Sequence, residues 1–306
     1  MTRQNDIIEK VVIVGATHGN EVTGYHLLQK WQANRSLVER PSFETQMVVG
    51  NPKAFERKLR YIDKDLNRSF KNKELQDLSL EGYEQNRAKA LNALLGPKGT
   101  DKTDVLIDLH TTTSTMGGTL MVTTSSPFKI RLAHHLRSTV DNIHVCCTDS
   151  GSSDRPFLGS IVERGMVFEV GPVENGVLRQ DILDLTDAMV MAALDFIEAY
   201  NAGALREEIS YPVYQPIKIV SYPEVERPGA KPVISRELQG HDYQELKPGM
   251  LMFVTLDGQE IRYEGPPGRY PMFINEAAYQ EDNVAYNECV LRQVTVTADD
   301  EVTLTD

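Results

Sequence analysis

Along the first two-thirds of the chain, apolar residues recur in two alternating textures. Short β-branched runs read as buried strands at Val11-Val12-Ile13-Val14, Gln46 to Gly50, Val105-Leu106-Ile107, and Met166-Val167-Phe168 with Val170. Amphipathic stretches lie between them. Glu21 to Trp31 carries Val22, Tyr25, Leu28 and Trp31 at helical spacing. Tyr83 to Leu95 carries Tyr83, Ala90, Leu91 and Leu94 and stops at Gly96-Pro97, a helix exit. Ile182 to Tyr200 holds the cleanest helical stripe, with Gly203 past its end. This alternation predicts an α/β domain over residues 1–204, built on a mixed sheet flanked by helices.

After Gly203 the texture changes. Val213 to Val220, Lys231 to Ser235, Leu251 to Leu256, Gln259 to Tyr263 and Val290 to Val296 read as strands separated by Pro, Gly and Asp turns. Leu256-Asp257-Gly258-Gln259 reads as a hairpin turn. Residues 205–306 are therefore expected to form a smaller β-rich domain, with the acidic tail after Thr297 frayed.

Composition narrows the partners. The 306 residues include 44 acidic and 32 basic ones, a formal net charge of −12. No basic stripe stands out, which argues against nucleic acid and anionic membrane as partners. An anionic substrate would need a few arginines to make a local positive pocket. Three cysteines, two of them adjacent, give neither a disulfide framework nor a Cys-x-x-Cys site. The N-terminal residues are polar, and no apolar run reaches transmembrane length, so a cytoplasmic location is expected. Homo-oligomerisation is left open.

Chemistry concentrates where strands end. Gly15-Ala16-Thr17-His18-Gly19-Asn20-Glu21 follows the first strand, and open α/β sheets keep their sites at such exits. His18 and Glu21 can meet one point across a tight turn, although such a pair alone is common by chance. Asp104 to His110 is a second buried strand ending in a histidine. Two His and one Glu make the open three-ligand shell of a catalytic zinc. Asp108 points to the same side as His110 and is a candidate to orient its ring, or simply a structural strand-end residue. Glu169 is a carboxylate within an apolar strand, where burial suits a proton shuttle working near neutral pH. The alternative for Glu169 is a solvent-facing edge position. Arg60 to Arg68 supplies planar forks for carboxylates or a developing oxyanion.

Taken in order, Gly15 to Gly24, Asn51-Pro52, Arg60 to Arg68, Asp108 to His110 with Met116-Gly117, Glu169-Val170-Gly171-Pro172 and Asn275-Glu276-Ala277-Ala278-Tyr279 resemble the aspartoacylase family. That family belongs to the wider group of succinylglutamate desuccinylases and zinc carboxypeptidases. The resemblance runs from about Val11 to about Val296. It implies a zinc carboxypeptidase-like catalytic domain and a C-terminal β domain capping the active site. It further implies one Zn2+ per chain on His18, Glu21 and His110, with Glu169 as the catalytic glutamate and Arg60 polarising the scissile carbonyl. Asn67 and Arg68 match the pair that grips the α-carboxylate, and Tyr279 matches a substrate-contacting tyrosine.

The expected reaction is hydrolysis of an N-acyl amino acid, N-acetyl-L-aspartate first. One position departs from the aspartate-specific pattern. An arginine expected ten residues before Glu169 is Gly159, and a tyrosine four residues earlier is Arg155. Arg155 is therefore expected to take over as the second carboxylate anchor. The alternative is an aminoacylase acting on other N-acyl amino acids, aromatic or neutral. A carboxypeptidase acting on peptides is the more distant alternative.

Overall fold

Val11 to Val14 are entirely buried, as a β-branched run covered on both faces must be. They form β1 (Lys10–Gly15) in a computed structural model that describes residues 7–100, 102–148, 154–204, 207–224 and 231–306. Next come α1 (Val22–Ala33), β2 (Glu44–Val49), α2 (Pro52–Arg57), α3 (Asn72–Gln76), α4 (Tyr83–Leu95) and β3 (Val105–Thr111). Then follow β4 (Gly117–Val122), α5 (Pro127–Thr139), β5 (Ile143–Cys147), β6 (Arg164–Gly171) and α6 (Gln180–Asn201). The remaining strands are β7 (Ile209–Ser221), β8 (Val233–Ile234), β9 (Leu251–Val254), β10 (Glu260–Arg262), β11 (Tyr270–Met272), β12 (Val284–Val296) and β13 (Val302–Thr305).

Among the described residues ten strands join in one sheet, in the order β11-β12-β7-β5-β4-β6-β3-β1-β2, with β13 on β12. The strands β2, β1, β3 and β6 run parallel, and β4 reverses direction against β6. Alternate residues of β1 divide between two cores. Val11 and Ile13 pack with Leu27, Leu28, Trp31, Phe128 and Phe196 of α1, α5 and α6. Val12 and Val14 pack on the other face with Leu66, Leu91 and Leu95. This two-sided covering leaves the carboxyl ends of β1 and β3 as the open edge where polar groups can gather.

The C-terminal segment is built onto the same sheet. Strands β7 and β12 pair along most of their length, and β7 meets β5 at Tyr214 and Cys146. A separate three-stranded sheet, β10-β9-β8, encloses its own apolar cluster around Tyr222, Leu238, Met252 and Phe253. The turn at Asp257-Gly258 joins β9 to β10, with Gly258 at φ +90°, a backbone region that favours glycine. Leu205, where the second domain was expected to begin, lies outside the described residues.

Two expectations need correction. The tail does not fray after Thr297. Its Val302 and Leu304 pair with Val296 and Val294 and pack on the main core, and the Arg131 guanidinium donates to the Thr297 carbonyl and to Asp300. Apolar alternation buried on one face outweighs the acidic neighbours. The strand expected over Lys231 to Ser235 contracts to Val233–Ile234. Among the described residues no helix is long and apolar enough to cross a membrane.

Candidate active site

The loop after β1 turns back at once. Ala16 takes φ +55°, and Gly19 sits so close to α2 that an added Cβ would lie 2.1 Å from the Ala54 carbonyl carbon. That close approach delivers His18 and Glu21 to the end of β3, beside His110. All three are nearly inaccessible, at 3%, 4% and 2% exposed. His18 Nδ1 lies 2.6 Å from Glu21 Oε1, His110 Nδ1 lies 2.8 Å from Glu21 Oε2, and the two Nδ1 atoms are 3.1 Å apart. One ligand atom from each residue falls within 4.8 Å of the others.

The opposite ring nitrogens each meet a carboxylate. His18 Nε2 is 3.0 Å from Asp65 Oδ1, and His110 Nε2 is 2.9 Å from Asp108 Oδ2. Those acceptors favour protons on Nε2, which turns both Nδ1 lone pairs toward Glu21. With both Nδ1 atoms unprotonated, three electron-pair donors face one point. A cation satisfies this arrangement, and the borderline His₂Glu set with one side open fits zinc. A proton is the alternative cation. Burial opposes a charge on His110, yet Asp108 and Glu21 raise its pKa well above the usual range. Burial likewise opposes the Glu21 carboxylate, and the two imidazoles hold it well below its usual range.

Asp65 received no role in the sequence reading. It bonds to His18, caps the Leu66–Arg68 turn through the Asn67 amide, and accepts from Arg60 Nη2 at 3.3 Å. Burial opposes its charge, but the hydrogen bond and charge of His18, with Arg60 and Arg68, hold its carboxyl far below the usual range. The loop that carries Arg60 and Asp65 is itself fastened by Glu84 of α4. That buried carboxylate accepts from the backbone amides of Ile62, Asp63 and Lys64 and from Asn51. Neither residue sits in an isolated motif, so only their partners reveal them.

Glu169 stands beside His110 in the β3/β6 register and opens onto a cavity of about 770 Å³. Burial pushes its carboxyl up to about 7, with Glu21 and Glu276 adding to the rise and the imidazoles opposing it. His18, Arg60, Asn67, Arg68, Arg155 and Tyr279 line the same cavity. Arg60 Nη1 donates to Glu21 at 3.0 Å. Asn67 Nδ2 is 3.5 Å from His110 Nε2, and its Oδ1 accepts from the Leu158 amide. The Arg68 guanidinium lies 5.1 Å over the Phe157 ring. Arg155 reaches the Thr148 carbonyl and hydroxyl oxygens at 3.4 Å each, facing the cavity with His18 and Arg68.

Tyr279 comes from the C-terminal segment and is tied down by Glu276. The Glu276 carboxylate accepts from Thr112 Oγ1, from the Thr113 amide at 2.8 Å and hydroxyl at 3.0 Å, and from the Ala278 amide. One buried acid thus clamps the Ala277–Tyr279 turn to the chain that leaves His110. Asp242 repeats the device by accepting from the Thr115 and Ile274 amides, and burial pushes its carboxyl up to about 6. The sequence offers Glu276 only as part of a motif and gives no local signal for Asp242, since the partners of both lie far along the chain.

The sequence profile of the succinylglutamate desuccinylase/aspartoacylase catalytic domain matches residues 7–197, and that of the AstE/AspA barrel-sandwich hybrid domain matches residues 210–287. A probable aspartoacylase from Trichodesmium erythraeum is 42% identical over 279 residues, covering 91% of this chain and 95% of that protein. An N-acyl-aromatic-L-amino acid amidohydrolase from Xenopus tropicalis is 38% identical, covering 93% and 94%. The crystal structure of murine aminoacylase 3 superposes with a TM-score of 0.91 at 34% identity, covering 98% of this chain and all of that one. With profile matches spanning both parts of the chain and relatives this similar along their whole length, the chain belongs to the succinylglutamate desuccinylase/aspartoacylase family.

Proposed function

We propose that this protein hydrolyses the amide bond of N-acyl amino acids, with one zinc ion held by His18, Glu21 and His110. The observation that carries the reading is the convergence of three buried ligand atoms beside a carboxyl raised to about 7, at the wall of a cavity lined by arginines. Zinc in that position supplies a Lewis acid and lowers the pKa of water to roughly 7.

The chain's own groups do the rest. Glu169 faces the cavity as a base, its affinity for a proton raised by burial. It takes the proton of the attacking water and returns it to the leaving amine. Arg60 carries a fixed charge to the carbonyl oxygen as that oxygen becomes negative. Asn67 and Arg68 hold the α-carboxylate, which orients the scissile bond. Tyr279 and Phe273 bring the C-terminal segment to the cavity wall, and we read residues 205–306 as a cap that excludes long peptides.

Among small substrates N-acetyl-L-aspartate fits best, because Arg68 and Arg155 offer two cations for its two carboxylates. A second reading, N-acetylated aromatic residues, draws on Gly159, which leaves its part of the wall without a side chain, and on the amidohydrolase relative. A hydrolysis panel of N-acetylaspartate, N-acetylglutamate, N-succinylglutamate and N-acetyltyrosine, with elemental analysis of the same protein, tests both. Zinc near one per chain and turnover of at least one substrate are expected. Full activity in metal-free protein would refute the proposal.

A further inference from the structure

None of the chemistry proposed above uses Glu84, yet this carboxylate is entirely buried in the first turn of α4. A carboxyl in that position is costly unless hydrogen bonds replace the water it has lost. Four do so. Oε1 accepts from the Ile62 amide at 2.6 Å and from Asn51 Nδ2 at 3.0 Å. Oε2 accepts from the Asp63 amide at 2.9 Å and the Lys64 amide at 3.3 Å. Three successive backbone amides turned toward one acid make an anion nest, here filled by a side chain of the same protein. The loop answers in kind, since Asp63 Oδ2 accepts from the Tyr83 amide at 2.7 Å.

The nest fixes the root of an arginine. Arg60 lies two residues before Ile62, and its own carbonyl accepts from the Gly19 amide at 3.1 Å. Its backbone is therefore held from two sides, by α4 and by the loop that carries His18. Its guanidinium forks between Glu21 Oε1 at 3.0 Å and Asp65 Oδ2 at 3.3 Å, and Asp65 directly follows the nest. An arginine side chain has many rotamers, so a fixed place for its charge requires a fixed root.

Asn51 carries the hold further. Its Oδ1 accepts from the Ala54 amide at 3.2 Å and caps α2, while its own amide donates to the Ala16 carbonyl at 2.8 Å. Helix α2 is the surface on which Gly19 packs. The loop bearing His18 and the loop bearing Arg60 are thus tied together at one buried carboxylate.

We infer that Glu84 is a positioning residue that sets the Arg60 guanidinium relative to His18 and Glu21, and thereby the contact to the developing oxyanion. The inference rests on the proposed hydrolysis of N-acyl amino acids. Glutamine at this position offers one acceptor oxygen and turns an NH2 group toward donors, so at least one of the four N–H groups loses its partner. The Arg60 loop then loosens. Because the oxyanion exists only in the transition state, the loss falls on kcat.

The test is a double-mutant cycle of Glu84→Gln and Arg60→Ala, at saturating zinc, on the N-acyl amino acid that the wild type turns over fastest. Glu84→Gln is expected to lower kcat about tenfold or more with KM changed less than about threefold, and to add less than about threefold to the loss in Arg60→Ala. Wild-type kcat in Glu84→Gln overturns the inference, as do losses that multiply in the double variant, and both outcomes leave hydrolysis intact. A second readout needs no turnover. The Gly19 amide touches the Arg60 carbonyl and not Glu84, so its hydrogen exchange should quicken about tenfold or more in Glu84→Gln. Exchange unchanged there overturns the inference even where kcat has fallen. If no N-acyl amino acid is turned over, the hydrolysis reading fails instead, and exchange at Gly19 alone decides whether Glu84 holds Arg60. Should Glu84→Gln not fold, Glu84→Asp, which keeps the charge but withdraws it by one methylene, carries the same measurements.

Discussion

Replacing Asp108 by Asn probes the proposed metal centre without touching any of its three proposed ligands. Asp108 is fully buried and accepts two hydrogen bonds, from Thr17 Oγ1 at 2.6 Å and from His110 Nε2 at 2.9 Å. Asparagine offers one oxygen and no charge, so only one partner keeps its acceptor. If the oxygen stays with His110, the Thr17 hydroxyl must turn to accept from the amide. If the amide faces His110, the ring is driven to the other tautomer, with its proton on Nδ1, the atom that faces Glu21 and the proposed metal position. Losing a carboxylate behind a ligating imidazole weakens metal binding by about ten- to a hundredfold, or roughly 1.4–2.7 kcal/mol. The assay is zinc competition against a chelator of known affinity, at several pH values, with kcat at saturating zinc measured alongside. Asp108 raises the basicity of His110, so protons compete harder in the wild type, and the affinity gap should narrow as the pH falls. An Asp108→Asn protein with wild-type zinc affinity at neutral pH would refute the reasoning, because His110 would then need no partner to hold its tautomer.

Three further outcomes follow from the same geometry. Glu169→Gln should lower kcat by roughly a hundredfold or more with zinc content unchanged. Because the ionised carboxylate is the active form, wild-type kcat/KM falls as pH drops through its pKa. That limb lies below 7 once a cation sits beside a group that stands near 7 without one, and an acid limb persisting in Glu169→Gln would assign it to another group. Arg155→Ala should raise KM for N-acetylaspartate about tenfold or more, with little change for an N-acetylated neutral amino acid, and equal effects on both would remove Arg155 as an anchor. Glu276→Ala strands the Thr113 and Ala278 amides at a buried clamp and should cost about 2–4 kcal/mol in chemical denaturation, with faster hydrogen exchange at Ala278. Unchanged exchange there would show that the turn is held by something else.

Local pattern carried much of the architecture. β1, β3 and β6 are short runs of branched or aromatic residues, α6 repeats apolar residues at helical spacing, and Asp257-Gly258 marks its hairpin. Each feature depends on neighbours in the chain, so its period survives in the sequence. The grouping of His18, Glu21 and His110 was legible for the same reason, since they follow or end strands β1 and β3. β4, β5 and α5 went unread, because Leu120-Met121-Val122 and Val145-Cys146-Cys147 are too short to separate strand from helix, and α5 carries buried Lys129 and Arg131 among its apolar positions.

What only the tertiary structure decided are contacts between distant segments. Asp65 meets His18 across 47 positions, Glu84 grips the Ile62–Lys64 amides about 20 positions away, and Glu276 meets Thr113 across 163. The tail becomes a strand only because β12 offers it an edge, and Lys129 reaches the cavity only because α5 packs beneath β6. An acid or a lysine in a sequence reads as a solvated charge. Its partners here come from sheet order and helix packing, which bring together groups whose spacing along the chain has no period to detect.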